Sequence, residues 1–474
     1  MGRPDAKPRA VDLLVRDGCV VTMDAGRRVL GDGAVAIDGG RIVAVGETAA
    51  VARRIAPRQT LSVAGGVVTP GLVNAHQHVT GDLLARGLVP DRLDHHTIIG
   101  TWFHALHLAE TERDERLAAL LACVEMLRYG TTAFLEAGTA WYPGAVASAA
   151  ERANIIGVVG KRVWDVPRSP PRFRLTTRAA LRALEQAVRD VRRRSTGHAR
   201  PAVSLVGHAT ASDALLVGAS DVARAHGLRL NMHLAPVEAD VHAFLQRAGC
   251  RPVEHLAALG VLGPHVTLVH MVHVSEREID LLAEHGVSVV ACPTTACRLG
   301  YGFGRVGKHP EMLARGVNVA LGADNASASN TLDLLRIAFL LAGLYSDGRQ
   351  DPGVIGAQQV LELLTLGGAR ALGLEGEIGS LEAGKRADLV IWRRDGPEWR
   401  PHWDPVQSLV YATDGRSVDR VLVRGRIVVE GGRVTTVDEP ALYRQVAQAA
   451  SALVERAGLR ARLREHGAVP GRAQ

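Results

Sequence analysis

Two histidines separated by one residue end an apolar run in GLVNAHQHVTGDLLARG, residues 71–87. Side chains two positions apart on a β-strand share a face, so His76 and His78 are predicted to point in the same direction. Three later apolar runs also carry polar residues at their ends, namely LRLNMHL with His233, VTLVH with His270 and NVALGAD with Asp324. Imidazoles and carboxylates are ligands of hydrolytic Zn²⁺ or Fe²⁺ sites, which keep one position for water. This set therefore predicts a metal site.

The middle of the chain has the pattern of a parallel sheet. Short apolar runs alternate there with helical stretches, and several of the helical stretches end in glycine. Eight strands are predicted, in the segments VVTPGLVNAH, TTAFLEAG, IIGVVGKRV, AVSLVGHA, LRLNMHL, VTLVH, VSVVACP and NVALGAD. Eight such units indicate an α/β fold with a (β/α)₈ TIM barrel, whose active site lies at the carboxyl ends of the strands.

The two ends of the chain have a different pattern. Short alternating runs separated by DG and GG turns occupy residues 11–68, which is typical of β-hairpins. A similar pattern returns in residues 387–392 and 418–437. We expect both ends to form one small β-sandwich domain. The predicted division is residues 1–68 and 386–440 for the two parts of the sandwich, 69–385 for the barrel and 441–474 for a C-terminal helix.

Composition limits the class of protein. Hydrophobic residues make up 47% and charged residues 22% of the 474 residues, which is ordinary for a soluble globular protein. No apolar run approaches the length of a membrane span, the N-terminus lacks the apolar core of a signal peptide, and the five cysteines are scattered. The net charge of +7 is spread among acids with few aromatic residues, which does not favour nucleic-acid binding. We expect a cytoplasmic protein that acts on a small molecule, with no nucleic-acid or membrane partner.

These motifs resemble the amidohydrolase superfamily, in the branch of the cytosine, guanine and S-adenosylhomocysteine deaminases and the triazine chlorohydrolases. The resemblance covers nearly the whole chain. It rests on GLVNAHQHVTGDLLARG, LVGHATASDALL, LRLNMHLA, VTLVHMVHVSEREIDLLAEHGVSVVACP, NVALGADNASASN and EIGSLEAGKRADLVIW. It implies a hydrolase that attacks a C–N bond with a metal-activated water, and it implies a homo-oligomer, which is common in the family.

The resemblance also implies roles for individual residues. One divalent metal, Zn²⁺ with Fe²⁺ as the alternative, would be held by His76, His78, His233 and Asp324. Asp324 would also take the proton of the attacking water, and His270 would polarise the group under attack. His208 and Asn325 would face the substrate. The fourth strand ends without the lysine that bridges two metals in other members, so we expect one metal.

Two departures from the family pattern bear on the substrate. Many members carry a glutamate three residues after the histidine of strand five, and it protonates a ring nitrogen during deamination; this chain has Pro236 there. Glu238 is the candidate to replace it, with a first-turn helix acid as the alternative reading. Strand seven is followed by Ala296 and Tyr301, where the branch usually carries asparagine and a small residue. Loss of the glutamate favours amides, ureas or carbamates, and deamination or dechlorination of a heterocycle such as a triazine, purine or pyrimidine is the alternative.

The loop after the first strand, VPDRLDHHTIIGTWFHALHLAE, is rich in histidine and contains Trp102 and Phe103. A barrel loop of this kind is a candidate lid, and Trp102 is the candidate substrate contact on it. The alternative is a loop that packs on a neighbouring subunit. A non-catalytic scaffold of the same fold is the remaining alternative, but such proteins lose metal ligands and this chain retains them.

Overall fold

The strands form three sheets. The structure is a computed structural model that describes residues 8–166 and 170–465. Within these residues the strands are β1 (Arg9–Val21), β2 (Val29–Asp38), β3 (Arg41–Glu47), β4 (Ile55–Ser62), β5 (Val67–Pro70), β6 (Leu72–Gln77), β7 (Thr131–Glu136), β8 (Ile156–Val159), β9 (Ala199–Pro201), β10 (Val203–Gly207), β11 (Leu230–Leu234), β12 (Val266–His270), β13 (Ser288–Ala291), β14 (Asn318–Leu321), β15 (Leu389–Trp392), β16 (Val418–Val423), β17 (Arg426–Glu430) and β18 (Arg433–Val434).

Helices follow most of the parallel strands. The α-helices of the described residues are α1 (Thr48–Ala52), α2 (His95–Thr97), α3 (His104–Ala109), α4 (Glu112–Arg128), α5 (Pro143–Ala153), α6 (Thr177–Arg194), α7 (Asp213–His226), α8 (Glu238–Ala248), α9 (Pro252–Ala258), α10 (Glu276–Glu284), α11 (Pro293–Leu299), α12 (Phe303–Val306), α13 (His309–Ala314), α14 (Leu334–Arg349), α15 (Ala357–Glu362), α16 (Gly368–Leu372), α17 (Pro405–Gln407), α18 (Glu439–Arg456) and α19 (Leu459–Glu465). Short 3₁₀ and π turns occupy Gly81–Ala85, Ile98–Phe103, Leu363–Gly367, Pro397–Trp399, Ser408–Ala412 and Gly415–Ser417. Several helices begin as their sequences dictate, because hydroxyl side chains accept a backbone N–H there, as Thr111 does for α4 and Ser275 for α10.

The parallel strands lie in two sheets, β6-β7-β8-β9 and β10-β11-β12-β13-β14. The chain passes from the first sheet to the second at Ala202, whose N–H still donates to the Val159 carbonyl at 2.8 Å. On the opposite side, Gln77 and Asp324 form a parallel bridge between the ends of β6 and β14. Each of the eight predicted segments contains a strand. The α/β, TIM-barrel-like fold predicted from the sequence is confirmed at this level.

A nine-stranded sheet is built from both ends of the chain. Its order is β18-β17-β16-β15-β5-β1-β2-β3, with β4 paired to β1. The junction is the antiparallel pairing of β5 with β15, in which Val67 lies opposite Trp392 and Pro70 opposite Leu389. Two distant segments of sequence therefore share one sheet, as their hairpin patterns indicate.

The first predicted parallel strand is divided at Gly71. Residues before it, in β5, pair within the nine-stranded sheet, whereas β6 after it pairs with β7. A Cβ atom on Gly71 would lie 2.0 Å from Thr132 Oγ1, so only glycine fits where the chain crosses between the two sheets. His76 is therefore the second-to-last residue of β6, a short strand that pairs only within the parallel sheet among the described residues.

The described part of the C-terminal region contains the helices α18 and α19. Residues 466–474 of the predicted C-terminal helix lie outside the described residues. α18 packs against α4 of the same chain, and Arg128 donates to Glu439 at 2.9 Å across that contact. Arg456 forms a second ion pair with Asp114. Among the described residues, no helix has both the length and the apolar character needed to cross a bilayer.

Candidate active site

Four predicted metal ligands meet at the ends of the parallel strands. The Nε2 atom of His78 lies 3.1 Å from Asp324 Oδ1 and 3.3 Å from His233 Nε2. The Nε2 atom of His76 lies 3.4 Å from the same Asp324 oxygen. One ligand atom from each of the four side chains fits within a mutual distance of 4.8 Å. The spacing of two directs both His76, in β6, and His78, the first residue after it, to this point.

The chemistry of these donors fits a divalent metal. His76 is fully buried, and neither of its ring nitrogens has a hydrogen-bond partner among the described residues. Burial lowers the pKa of His76 and, further, that of His233, so both rings are neutral near pH 7. Burial would raise the pKa of Asp324, but contacts with His76 and His78 hold it well below its usual range. Neutral imidazoles beside an ionised carboxylate are the protonation states that metal binding requires.

Hydrogen bonds behind the cluster orient two of the rings. His233 Nδ1 contacts the Val206 carbonyl, so its Nε2 faces the cluster. His78 Nδ1 lies 3.3 Å from Thr139 Oγ1 and 3.6 Å from Asp82 Oδ2. Burial lowers the pKa of His78, but Asp324 and Asp82 outweigh that effect and raise it to about 9. Near pH 7 this ring therefore carries a proton, which a bound metal would displace. The same contacts fix the orientation of the ring.

The backbone at Asp324 adopts a left-handed conformation, with φ of 63°. This conformation is costly for a residue with a Cβ atom, and the surroundings hold it in place. The N–H of Asp324 donates to the His76 carbonyl at 3.0 Å, and Gln77 Nε2 donates to the Asp324 carbonyl at 2.8 Å. The carboxylate is therefore fixed relative to the strand that carries the histidine pair.

Gly322 makes room for His76. A Cβ atom at position 322 would lie 2.7 Å from His76 Cβ and 3.0 Å from the His76 carbonyl oxygen. We expect Gly322→Ala to weaken metal binding about tenfold, because it displaces this ring, and to lower the free energy of unfolding by about 1–3 kcal/mol. Metal titration and urea denaturation measure the two effects. Gly343→Ala is the control, since a Cβ atom there meets nothing within 4 Å; equal metal affinity in both variants would contradict the prediction.

His270 lies beside the cluster, with its Nε2 atom 4.0 Å from Asp324 Oδ2. Burial lowers its pKa to about 3, so the ring is neutral and can act as a hydrogen-bond partner of a substrate. Its backbone is also left-handed, with φ of 76°. His309 Nε2 donates to the His270 carbonyl at 2.8 Å, while its Nδ1 contacts the Tyr345 hydroxyl. This second histidine therefore supports the strained end of β12.

Because His309 is buried as a neutral ring, we expect the free energy of unfolding to fall in acid. Burial lowers its pKa to about 4, whereas an unfolded chain takes up the proton below about 6.5. Its contribution is thus present above pH 6.5 and is lost as the pH falls towards 4. We expect urea denaturation of chelator-treated protein to show a loss of about 2 kcal/mol from this residue at pH 5. His309→Gln removes the titrating group, so a variant with an unchanged pH slope would count against this assignment.

A cavity of about 380 Å³ adjoins the cluster. His78, His233, His270 and Asp324 line one side of it. Two further predicted residues, His208 and Asn325, also line it, and both are largely buried. Asn325 Oδ1 accepts from the Ser327 N–H at 2.7 Å, whereas its Nδ2 has no partner among the described residues. That amide can donate to a bound molecule.

The structure does not bring Trp102 or Glu238 to the cavity. Trp102 is fully buried in the π turn of the loop, and its neighbour Phe103 lines the cavity instead. Glu238 begins α8 with its side chain 70% exposed and 3.9 Å from His242 Nε2. Its position is that of the first-turn helix acid, which was the alternative reading of the sequence. Pro236 does line the cavity, without a proton to give.

Other cavity residues were not assigned from the sequence. Asp240, in the first turn of α8, lines the cavity. The Tyr301 hydroxyl lies 2.7 Å from His95 Nδ1, which connects the segment after β13 to the loop after β6. Arg162 is buried at the cavity wall and donates to His107 Nδ1 at 2.9 Å. The histidine-rich loop and Tyr301 could be recognised in the sequence as candidates for the site. Asp240 and Arg162 lie in helical or charged stretches, where no motif distinguishes them from surface residues.

Comparisons with known proteins agree with this geometry. The model of the amidohydrolase family matches residues 67–428. The chain belongs to the amidohydrolase family. It is 38% identical over 431 residues to a 5-methylthioadenosine/S-adenosylhomocysteine deaminase of Syntrophobacter fumaroxidans, covering 90% of this chain and 95% of that protein. This amidohydrolase is therefore a metal-dependent hydrolase that acts on C–N bonds.

Two solved structures are similar over most of this amidohydrolase. A zinc-bound adenosine deaminase from Xanthomonas campestris has a TM-score of 0.88 and 29% identity, covering 94% of this chain and 99% of that one. A zinc complex of atrazine chlorohydrolase from Arthrobacter aurescens TC1 has a TM-score of 0.81 and 23% identity, covering 92% of this chain and 100% of that one. The second likeness concerns the fold.

Proposed function

We propose that this amidohydrolase removes the amino group of an aminated heterocycle of the adenine-nucleoside type by hydrolysis. The observation that carries the proposal is the buried His/Asp cluster in the wall of a cavity. The 38% identity to a 5-methylthioadenosine/S-adenosylhomocysteine deaminase supports it. Zinc is the proposed ion, held by His76, His78, His233 and Asp324, because zinc-bound relatives share the fold. A bound divalent metal lowers the pKa of water enough to supply hydroxide near neutral pH.

The surrounding residues have separate tasks in this proposal. Asp324 accepts a proton from the attacking water and passes it to the departing amine, because its carboxylate is held ionised beside the cluster. His270, neutral and 4.0 Å from that carboxylate, hydrogen-bonds to the oxygen that joins the ring carbon.

The other lining residues of the cavity suit a flat ring. Ile99, Phe103 and Trp164 supply apolar surface in the cavity. His208 is kept neutral because burial lowers its pKa to about 4, so it can donate or accept a hydrogen bond without charge. Asn325 adds the amide donor described above. A few polar groups on an apolar wall orient a small ligand and select it.

Cleavage of an amide, urea or carbamate is the second candidate. Pro236 favours it, because attack at a carbonyl carbon does not need a protonated ring nitrogen. Asp324 and His270 would act as before, with the carbonyl oxygen facing His270.

Product analysis separates the two candidates. We would incubate the zinc-loaded enzyme with adenosine, 5-methylthioadenosine, S-adenosylhomocysteine and atrazine, and with N-substituted amides, ureas and carbamates. We expect ammonia release with replacement of NH₂ by OH in an adenine nucleoside. Molecules divided at a carbonyl, with no ammonia from any ring amine, would instead support the second candidate.

We further propose the finer architecture. The two parallel sheets close into one eight-stranded barrel through the Gln77–Asp324 bridge, and the nine-stranded sheet folds as a sandwich near the predicted boundaries 1–68, 69–385 and 386–440. The enzyme works in the cytoplasm as a homo-oligomer. Light scattering of the purified protein tests the last point, and a monomeric mass would overturn it.

A further inference from the structure

A second carboxylate, Asp240, faces the cavity of the candidate active site. It lies in the first turn of α8, which follows the strand that carries His233. Its side chain is 24% exposed, whereas that of Glu238 in the same turn is 70% exposed. Among the described residues that line the cavity, Asp240 and Asp324 are the two carboxylates. An acid is thus available in the cavity although Pro236, which also lines it, has no proton to give.

Both carboxylates line the same cavity, and both act electrostatically on two of its other residues, His95 and Tyr301. Burial lowers the pKa of His95, and the negative charges of Asp240 and Asp324 both oppose that shift. Burial raises the pKa of Tyr301, and the same two charges add to the increase. His95 and Tyr301 are hydrogen-bonded to each other and line the cavity. This pair therefore lies in the electrostatic field of both acids.

The oxygens of the Asp240 carboxylate are available to accept hydrogen bonds. Among the described residues, no side chain or backbone group donates a hydrogen bond to it. Its ion-pair partner among them is His96, whose Nε2 atom lies 3.7 Å from Asp240 Oδ1. The His96 side chain is itself 63% exposed. Charged side chains inside a substrate cavity that lack hydrogen bonds are candidates for contact with the substrate.

We propose that Asp240 is a catalytic residue that carries a proton to the ring nitrogen next to the carbon under attack. The inference rests on the proposed deamination. Water adds its oxygen to the carbon that bears the amine, and one of its protons passes through Asp240 to the ring nitrogen, where it remains in the product. The second proton passes through Asp324 to the amine. The C–N bond then breaks, ammonia leaves, and the carbon keeps the oxygen as a carbonyl.

The test is the isosteric variant Asp240→Asn, assayed as the zinc-loaded enzyme with the adenine nucleoside that the wild type deaminates. Loss of a proton-transfer group predicts a kcat about 100-fold lower, with unchanged zinc content and melting temperature. Asp221→Asn is the matched control, because its carboxylate is 64% exposed on α7 and pairs with Arg224; its kcat should equal that of the wild type. A kcat for Asp240→Asn within about threefold of the wild type would overturn the role, as would loss of zinc or of stability in that variant.

A rescue experiment adds a readout that a structural role would not produce. Pro236→Glu placed in the Asp240→Asn protein returns a carboxylate three residues after His233, and we expect it to recover about tenfold in kcat. Asp240→Glu, which keeps the acid, should retain more activity than Asp240→Asn. Wild-type protein that splits amides and releases no ammonia would overturn the proposed function and this role with it, whereas deamination unaffected by Asp240→Asn would overturn this role alone.

Discussion

His76→Ala is expected to remove the metal and the activity together. His76 contributes a buried imidazole whose nitrogens have no other hydrogen-bond partner among the described residues. Loss of groups that merely orient metal ligands weakens binding by about 10–100-fold, so loss of a ligand itself should weaken it by at least about 100-fold. Zinc content after dialysis, measured by atomic absorption, and the rate of ammonia release report the two effects.

The matched control for this change is His226→Ala. His226 is exposed at the end of α7, away from the strand ends. It should retain zinc and full activity. Retention of one zinc per chain by His76→Ala would show that this ring is not a ligand.

Asp324→Asn is expected to lower kcat, calculated per bound zinc ion, by about 10³-fold. The exchange keeps the shape of the side chain but removes the group that takes the proton of water, and such groups contribute about 10²–10⁴-fold. The low pKa of Asp324 means that the wild-type carboxylate is ionised throughout the neutral range. Steady-state kinetics on protein of known zinc content measures the effect.

KM is informative in the same experiment. If Asp324 acts in proton transfer, KM should change little while kcat falls. A variant with normal kcat per zinc would contradict the role of this carboxylate, and a variant with raised KM alone would indicate a binding role instead.

The sequence predicted the parts of the site that depend on strand periodicity. His76 and His78 are two residues apart, and His233, His270 and Asp324 each end a run that forms a parallel strand. Strand ends converge in this fold, so their neighbourhood in space follows from the pattern. The crossing at Gly71 was not visible, because VVTPGLVNAH reads as one continuous apolar run.

The residues that come from loops and helix starts could not be predicted in this way. Their direction depends on how each connection turns, which period-2 or period-3.6 patterns do not encode. Trp102 and Phe103 are adjacent, yet Phe103 reaches the cavity. Glu238 and Asp240 share one helical turn, and the backbone entry into α8 directs the second inward.

Metal titration of the chelator-treated enzyme tests the central claim most directly, with ammonia release from an adenine nucleoside as the readout. We propose that the four donors, which lie in mutual reach, form one binding site. We predict no activity without metal and a linear recovery that is complete at one equivalent of zinc per chain. Full activity in the metal-free protein, or a requirement for a second equivalent, would contradict it.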